Sequence, residues 1–374
     1  MAKEAPSKTG SPERLHSLDA LRGFDMFWII GGGAFFAALA EATEWGWLDG
    51  FAQQVHHHSK WSGLRFYDLV FPLFMFISGV AIPYATAAKR KKGATRFGLL
   101  WKAFRRMVLL VLFGIVYNGA LQNGFHDARM ASVLGQIGIA YFLASAIVVN
   151  TDSIRPRLYG LAGILGTVAI LQLLVPAPGF GAGNLTPDGS INAWIDQRFL
   201  PGKILYGSYD PEGILCILSA TSVTLAGALA GMLLRNPTPS PTRKTLFLLG
   251  GGAGLVAVAA ALSPFYPIIK KIWTVPYDLA VAGLSALLLA LFYFAVDVLG
   301  WRKGAFFFKV IGLNSITIYL GSRIIDFHHA SGFLLGWLAK PAGDWGEAII
   351  LAGVLVLEWL FLLHLHRHKI FLRV

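Results

Sequence analysis

Three consecutive histidines, His56, His57 and His58, precede Trp61 in the stretch "VHHHSKWSGLRFYDLVFPLFMFISG", and a carboxylate, Asp68, follows ten residues after His58. Imidazole is the side chain best suited to exchange a proton near pH 7, and a carboxylate on one ring nitrogen fixes its tautomer and raises its basicity. Asp68 can serve a histidine in this way, or it can cap the following helix or pair with Arg65. A metal reading fits the triplet poorly, because successive loop residues point apart while helical chelation wants ligands four positions apart. No metal is expected. His and Trp also suit the polar collar where a chain enters a membrane, so collar and base both remain open from the residues alone.

Other polar residues stand where they are expensive. Asp19 and Arg22 are three apart, share a helical face and can pair, with Gly31, Gly32 and Gly33 further along allowing a close approach. Asn118, Gln122, Asn123, His126, Asp127 and Arg129 cluster between two apolar runs. Glu212 lies at a helix start, where the helix dipole favours a carboxylate. Asn314, Ser315 and Tyr319 fall on roughly one helical face, and Glu358 sits midway along the last apolar run. A charged group inside a span must face a cavity or a partner, so these are candidates for function.

The elements that carry them are membrane helices. Of the 374 residues, 55% are hydrophobic and 14% charged, where a soluble domain carries about a quarter charged, and the mean hydropathy is +0.60. Apolar windows near 19–40, 66–88, 99–120, 129–150, 157–175, 212–234, 245–263, 276–299, 305–325 and 346–365 predict about ten spans of an all-α integral membrane bundle. "FHHASGFLLGWLAK" is an eleventh candidate, short enough to be re-entrant. The apolar run near residue 19 carries Asp19, Arg22 and Asp25 and lacks a small-residue cleavage site, so it reads as a retained first span.

The net charge of +12 would suggest nucleic acid in a soluble protein, but it resides in alternate loops, so no nucleic-acid partner is expected. With the N-terminus cytoplasmic, 22 Lys and Arg fall in cytoplasmic loops and 7 in the opposite loops, the asymmetry of the positive-inside rule. A short tail at 1–18 and one domain at 19–374 follow, with long external loops near 41–65 and 176–211. The second loop's Gly, Pro, Asn, Asp and Tyr suit a lid over a polar ligand or a plain solvated connection. The lone Cys216, inside an apolar run, excludes an internal disulfide and a thiolate metal cluster.

Six segments in order, "RLHSLDALRGFDMFWIIGGG", His58–Gly79, "RMASVLGQIGIAY", "DPEGIL", "KIWTVPY" and "GLNSITIYLG", span residues 14 to 325. On these the chain resembles the transmembrane heparan-α-glucosaminide N-acetyltransferases, in particular their bacterial relatives. The resemblance implies a multi-pass protein of the bacterial inner membrane, a possible homodimer, that passes acetyl from cytoplasmic acetyl-CoA to the amino group of an external amino sugar. The family's histidine three positions before the tryptophan carries over to His58, as general base or as transient acyl acceptor, with Asp68 beside it. Trp61, Asn118, Arg129, Glu212, Asn314, Ser315 and Tyr319 are expected at the acceptor, and Asp19, Arg22, Gly32 and Gln136 at the acyl donor.

Two positions depart from the family. Ile29 stands where it carries an asparagine before the triple glycine, so oxyanion stabilisation falls to other donors, with Asn118, Asn314 or backbone N–H groups as candidates. Gly135 and Gln136 stand where the family commonly has Gln-Arg, which removes a positive charge from the span. A transporter for a sugar or acylated sugar would use the same polar residues along a path, and an O-acyltransferase of a surface glycan would share the chemistry with another acceptor.

Overall fold

A computed structural model describes residues 15–126 and 128–372. Most of the expected tail at 1–18, its first fourteen residues, lies outside the described part, as does Asp127.

The first span is α1 (His16–Phe27), which passes through a π-helical turn (Trp28–Gly32) into α2 (Gly33–Thr43). Gly31 takes φ 139° in that turn, a value open to glycine and closed to most other residues. The chain returns in α3 (Gly46–His56) and enters α4 (Phe66–Arg90), α5 (Arg96–Tyr117), the short α6 (Ala120–Asn123), α7 (Val133–Asn150) and α8 (Ile154–Leu174). The second long loop holds α9 (Ile191–Phe199) and leads to α10 (Ile214–Arg235) and α11 (Pro241–Leu262). A 3-10 turn (Lys270–Ile272) precedes α12 (Val275–Phe292), and α13 (Phe306–Leu313), α14 (Ser315–Ile324), α15 (Phe327–Ala339) and α16 (Gly346–Arg367) complete the bundle. Among the described residues the only β pairing is an isolated antiparallel bridge of Arg129 with Gly202.

Eight described helical segments are long and apolar enough to cross a membrane, and they coincide with eight of the ten expected windows. The other two windows are also helical, with differences. In α5, Arg96, Lys102, Arg105 and Arg106 interrupt the apolar run. At 305–325, a break at Asn314 divides the window into α13 and α14. "FHHASGFLLGWLAK" becomes α15, whose 13 residues reach about 20 Å at 1.5 Å per residue, short of the ~30 Å hydrocarbon core. It folds back on α16 through a turn in which Gly343 has φ 58°, and Ser331 donates to the Ile350 carbonyl at 2.7 Å.

Close helix packing fixes the centre. A methyl group on Gly79 would overlap the Thr224 carbonyl, and one on Gly227 the Phe76 carbonyl, so α4 and α10 touch backbone to backbone. Gly23 and Gly312 bring α1 and α13 together in the same way. In hydrocarbon, where water expulsion gives no force between helices, small residues allow the dispersion contacts that hold them. Buried share separates inner from outer helices: 72% of the apolar window of α4 is buried, against 11% for α8. α4, α10, α7, α12 and α1 therefore form the frame on which the polar residues are placed.

Candidate active site

His58 is held by the start of α4. α3 ends at His56, the backbone extends at His57, and Asp68 sits in the first turn of α4 with its side chain fully buried. One carboxylate oxygen of Asp68 accepts the backbone N–H of Ser59 at 3.1 Å and of Arg65 at 3.0 Å. The other lies 2.8 Å from His58 Nδ1. The two sequence readings of Asp68 are thus both realised: it caps its helix through the backbone of Arg65 and orients the imidazole. With Nδ1–H donated to Asp68, the lone pair of Nε2 is left for a substrate. The Tyr277 hydroxyl donates to the Asp68 carbonyl at 2.8 Å, tying α12 to this helix start.

Sequence reasoning missed Lys270. Its Nζ lies 2.8 Å from His58 Nδ1, 3.3 Å from Nε2 and 3.4 Å from an Asp68 oxygen. Burial pushes its ammonium pKa below the usual lysine range, against the attraction of Asp68 and Glu212. The turn that carries it is anchored from below: Gln172 and Asn192 both donate to the Ile272 carbonyl, at 2.8 and 3.1 Å. Thr274 Oγ1 accepts the Ile269 N–H and donates to the Pro267 carbonyl. Trp273 is fully buried at φ 49°, packed edge-on against Phe71 and Tyr277. A bulky residue at positive φ is held only by packing that over-determines it. The signal in the sequence was the Lys270–Lys271 doublet in a loop otherwise poor in charge.

His58, Tyr67, Glu212, Lys270 and Tyr319 line a cavity of about 280 Å³, closed on its apolar side by residues such as Ile29 and Phe74. Tyr319 stacks on Tyr117 with centroids 4.5 Å apart. Glu212 is tied outward to Arg129, whose guanidinium also binds Asp210 through Nε at 2.8 Å. Burial works against the charge on both carboxylates; Arg129 outweighs it at Asp210, which falls below its ordinary range, while Glu212 is raised. Arg129 is expected at the end of a span but lies before α7, in the bridge to Gly202, where it locks the second long loop onto the site. Trp61 does the same from the first loop: its indole N–H donates to the Leu185 carbonyl at 3.1 Å, and its ring meets Tyr209 edge-on.

A second cavity, about 590 Å³, runs along the other half of α4 past Ser78, Tyr84 and Ala88. Asp19, Arg22, Arg106 and Ser315 stand on its wall, and Arg22 pairs with Asp19 at 3.7 Å. Phe74 and Ile316 line both cavities, so the two meet at these side chains. Arg106 and Ala85 are shared in turn with a third, basic hollow that includes Lys89, Lys102 and Arg105.

The expected site residues therefore divide. His58, Glu212 and Tyr319 line the first cavity, the outer one in the expected orientation, and Asp19 and Arg22 the second, the inner one, together with Ser315, which was expected with the acceptor group. Asp68, Trp61 and Arg129 support the outer cavity from behind. Four residues serve the frame. Asn118 spends its amide on the Arg129 and Ala131 carbonyls, Asn314 exchanges hydrogen bonds with Ile370 and Leu372, Gln136 donates to the Cys216 carbonyl, and Gly32 is packed against Phe27. His328 meets Glu347 at 3.3 Å, away from the cavity. No group of three metal-ligating side chains converges among the described residues.

Residues 14–127 match a family model described as a domain of unknown function, DUF5009. The chain is 25% identical over 420 residues to the human protein named heparan-alpha-glucosaminide N-acetyltransferase, an alignment covering 97% of this chain and 60% of that protein. It is 24% identical to the mouse protein of the same name, over 98% of this chain and 62% of the relative. The resemblance read from six motifs thus extends over nearly the whole chain, which spans about three fifths of the length of these relatives.

Proposed function

We propose that the protein is a transmembrane acetyltransferase that takes acetyl from acetyl-CoA at the inner, cytoplasmic cavity and delivers it to the amino group of an amino sugar in the outer one. The observation that carries this reading is the meeting of the two cavities at Phe74 and Ile316, with His58 on the outer side. An acyl donor entering from the basic face, where Arg106 and its neighbours attract phosphate groups, has a path for its thioester toward the imidazole. A thioester is already activated, so the chemistry needed is removal of a proton from the attacking amine. His58 Nε2 takes that proton as the C–N bond forms. As the tetrahedral intermediate collapses, the C–S bond breaks and the thiolate recovers the proton from the imidazolium. Asp68 holds the ring and balances the transient charge. The similarity to the named N-acetyltransferases supports the same reaction class, and the asymmetry of the basic loops supports an orientation with the N-terminus cytoplasmic; in this reading the chain sits in a bacterial inner membrane.

The test is purified protein with acetyl-CoA and glucosamine, wild type against His58→Ala, with free thiol as readout. Amine-dependent release lost in the variant is the expected result. Equal release in the variant removes His58 from the mechanism, and no release with any amine leaves the transport reading in its place.

A further inference from the structure

An attacked thioester carbonyl becomes an oxyanion, and preorganised hydrogen-bond donors aimed at that oxygen are commonly the largest single contribution to such a reaction. Ile29, on the wall of the outer cavity, offers no side-chain donor. The side-chain amides that could substitute are engaged elsewhere: both Nδ2 bonds of Asn118 go to carbonyls, and Asn314 is tied to the chain's last turn. Neither asparagine lines the outer cavity. The cation that does line it is Lys270, beside His58.

We propose that Lys270 is a further catalytic residue, its ammonium donating a hydrogen bond to the acetyl carbonyl oxygen as that oxygen becomes an oxyanion next to His58. The proposal rests on the acetyl-transfer reading above. An ammonium has three N–H donors; Asp68 engages one, and beyond the contact with the imidazole edge at least one is left on a residue that lines the cavity. The charges agree at each stage. Before reaction, Asp68 and Lys270 form a neutral pair and His58 is uncharged. In the tetrahedral intermediate the new oxyanion and the new imidazolium cancel, and Lys270 lies within reach of both. The groups facing Lys270 are Asp68 from α4, His58 from the preceding loop, Glu212 ahead of α10 and Lys271 in its own turn. Charge-assisted donors are stronger than neutral ones, which gives Lys270 the advantage over the cavity's tyrosines.

The experiment compares wild type, Lys270→Met and Lys270→Arg with acetyl-CoA and with its dithioacetyl analogue, whose C=S group is a weak acceptor. In Lys270→Met, kcat with acetyl-CoA should fall about 10²- to 10³-fold with KM for acetyl-CoA changed less than about threefold, and Lys270→Arg should recover part of the loss. Replacing C=O by C=S should slow wild type far more than Lys270→Met, because the variant has no donor to lose. An equal penalty in both, or kcat in Lys270→Met within about threefold of wild type, overturns the role. If Lys270→Met does not fold, a C=S penalty in Lys270→Arg as small as the uncatalysed one overturns it. Wild type inert toward every amine fails the acetyl-transfer reading itself, a result distinct from activity that ignores Lys270.

Discussion

The two cavities that meet at Phe74 and Ile316 are built on opposite plans. The outer one is small and gathers His58, Glu212 and Lys270 on its wall, with Asp68 directly behind. The inner one is twice the volume, and its charged residues pair locally, Arg22 with Asp19 three residues away. The outer groups come from three distant parts of the chain, with 212 positions between His58 and Lys270. The difference teaches where each kind of precision is needed. Proton transfer and charge stabilisation require groups fixed to a fraction of an ångström by several elements; holding a long flexible donor requires room and a few anchors.

The largest break in this contrast should come from His58→Ala, with acetyl transfer from acetyl-CoA to glucosamine falling to background while His57→Ala keeps most activity, both read as thiol release. Asp68→Asn should lower kcat about 10²- to 10⁴-fold, since the amide can present its N–H to Nδ1 and favour the wrong tautomer. Ile316→Trp tests the junction: turnover of acetyl-CoA should drop at least tenfold while a short acetyl thioester supplied from the outer side reacts within about threefold of wild type. Equal loss with both donors would mean the cavities do not work in series.

Two further measurements sharpen the comparison. Arg129→Met strands Asp210 and Glu212, and removing one partner of a buried ion pair costs about 3–5 kcal/mol. Arg22→Met, in the longer 3.7 Å pair with Asp19, should cost less, so thermal unfolding in detergent should rank the two. The smallest effect is in pH. Lys270 must be protonated to donate, and burial lowers its pKa, so kcat should decline on the alkaline side at a lower pH than the ~10.4 of an exposed lysine. In Lys270→Arg that limb should flatten, because guanidinium keeps its proton.

Much of the frame was legible because a span declares itself by composition and length. The windows failed where local rules were broken: at Asn314, whose side chain serves the returning C-terminus instead of a helical face, and in α15, where apolarity without length reads ambiguously. His58 and Asp68 were legible as a pair because they are near in sequence and one turn of α4 decides their contact. Lys270 was not, since nothing in a lysine doublet announces which distant helix start it will meet. Arg129 looked like a span residue because the apolar run begins close after it, whereas its place is set by Gly202, Asp210 and Glu212, more than 70 positions away.

The shared wall at Phe74 and Ile316 has a further consequence for the cell. A bilayer keeps ions out with ~30 Å of hydrocarbon, but here, in the proposed orientation, a cavity on each side is lined by the same Phe74 and Ile316 side chains. In that reading the tightness of the membrane to protons and small ions at this protein rests in part on this shared wall. Ile316→Ala, which removes part of that wall, should therefore show first as proton leak across proteoliposomes, even where turnover is preserved.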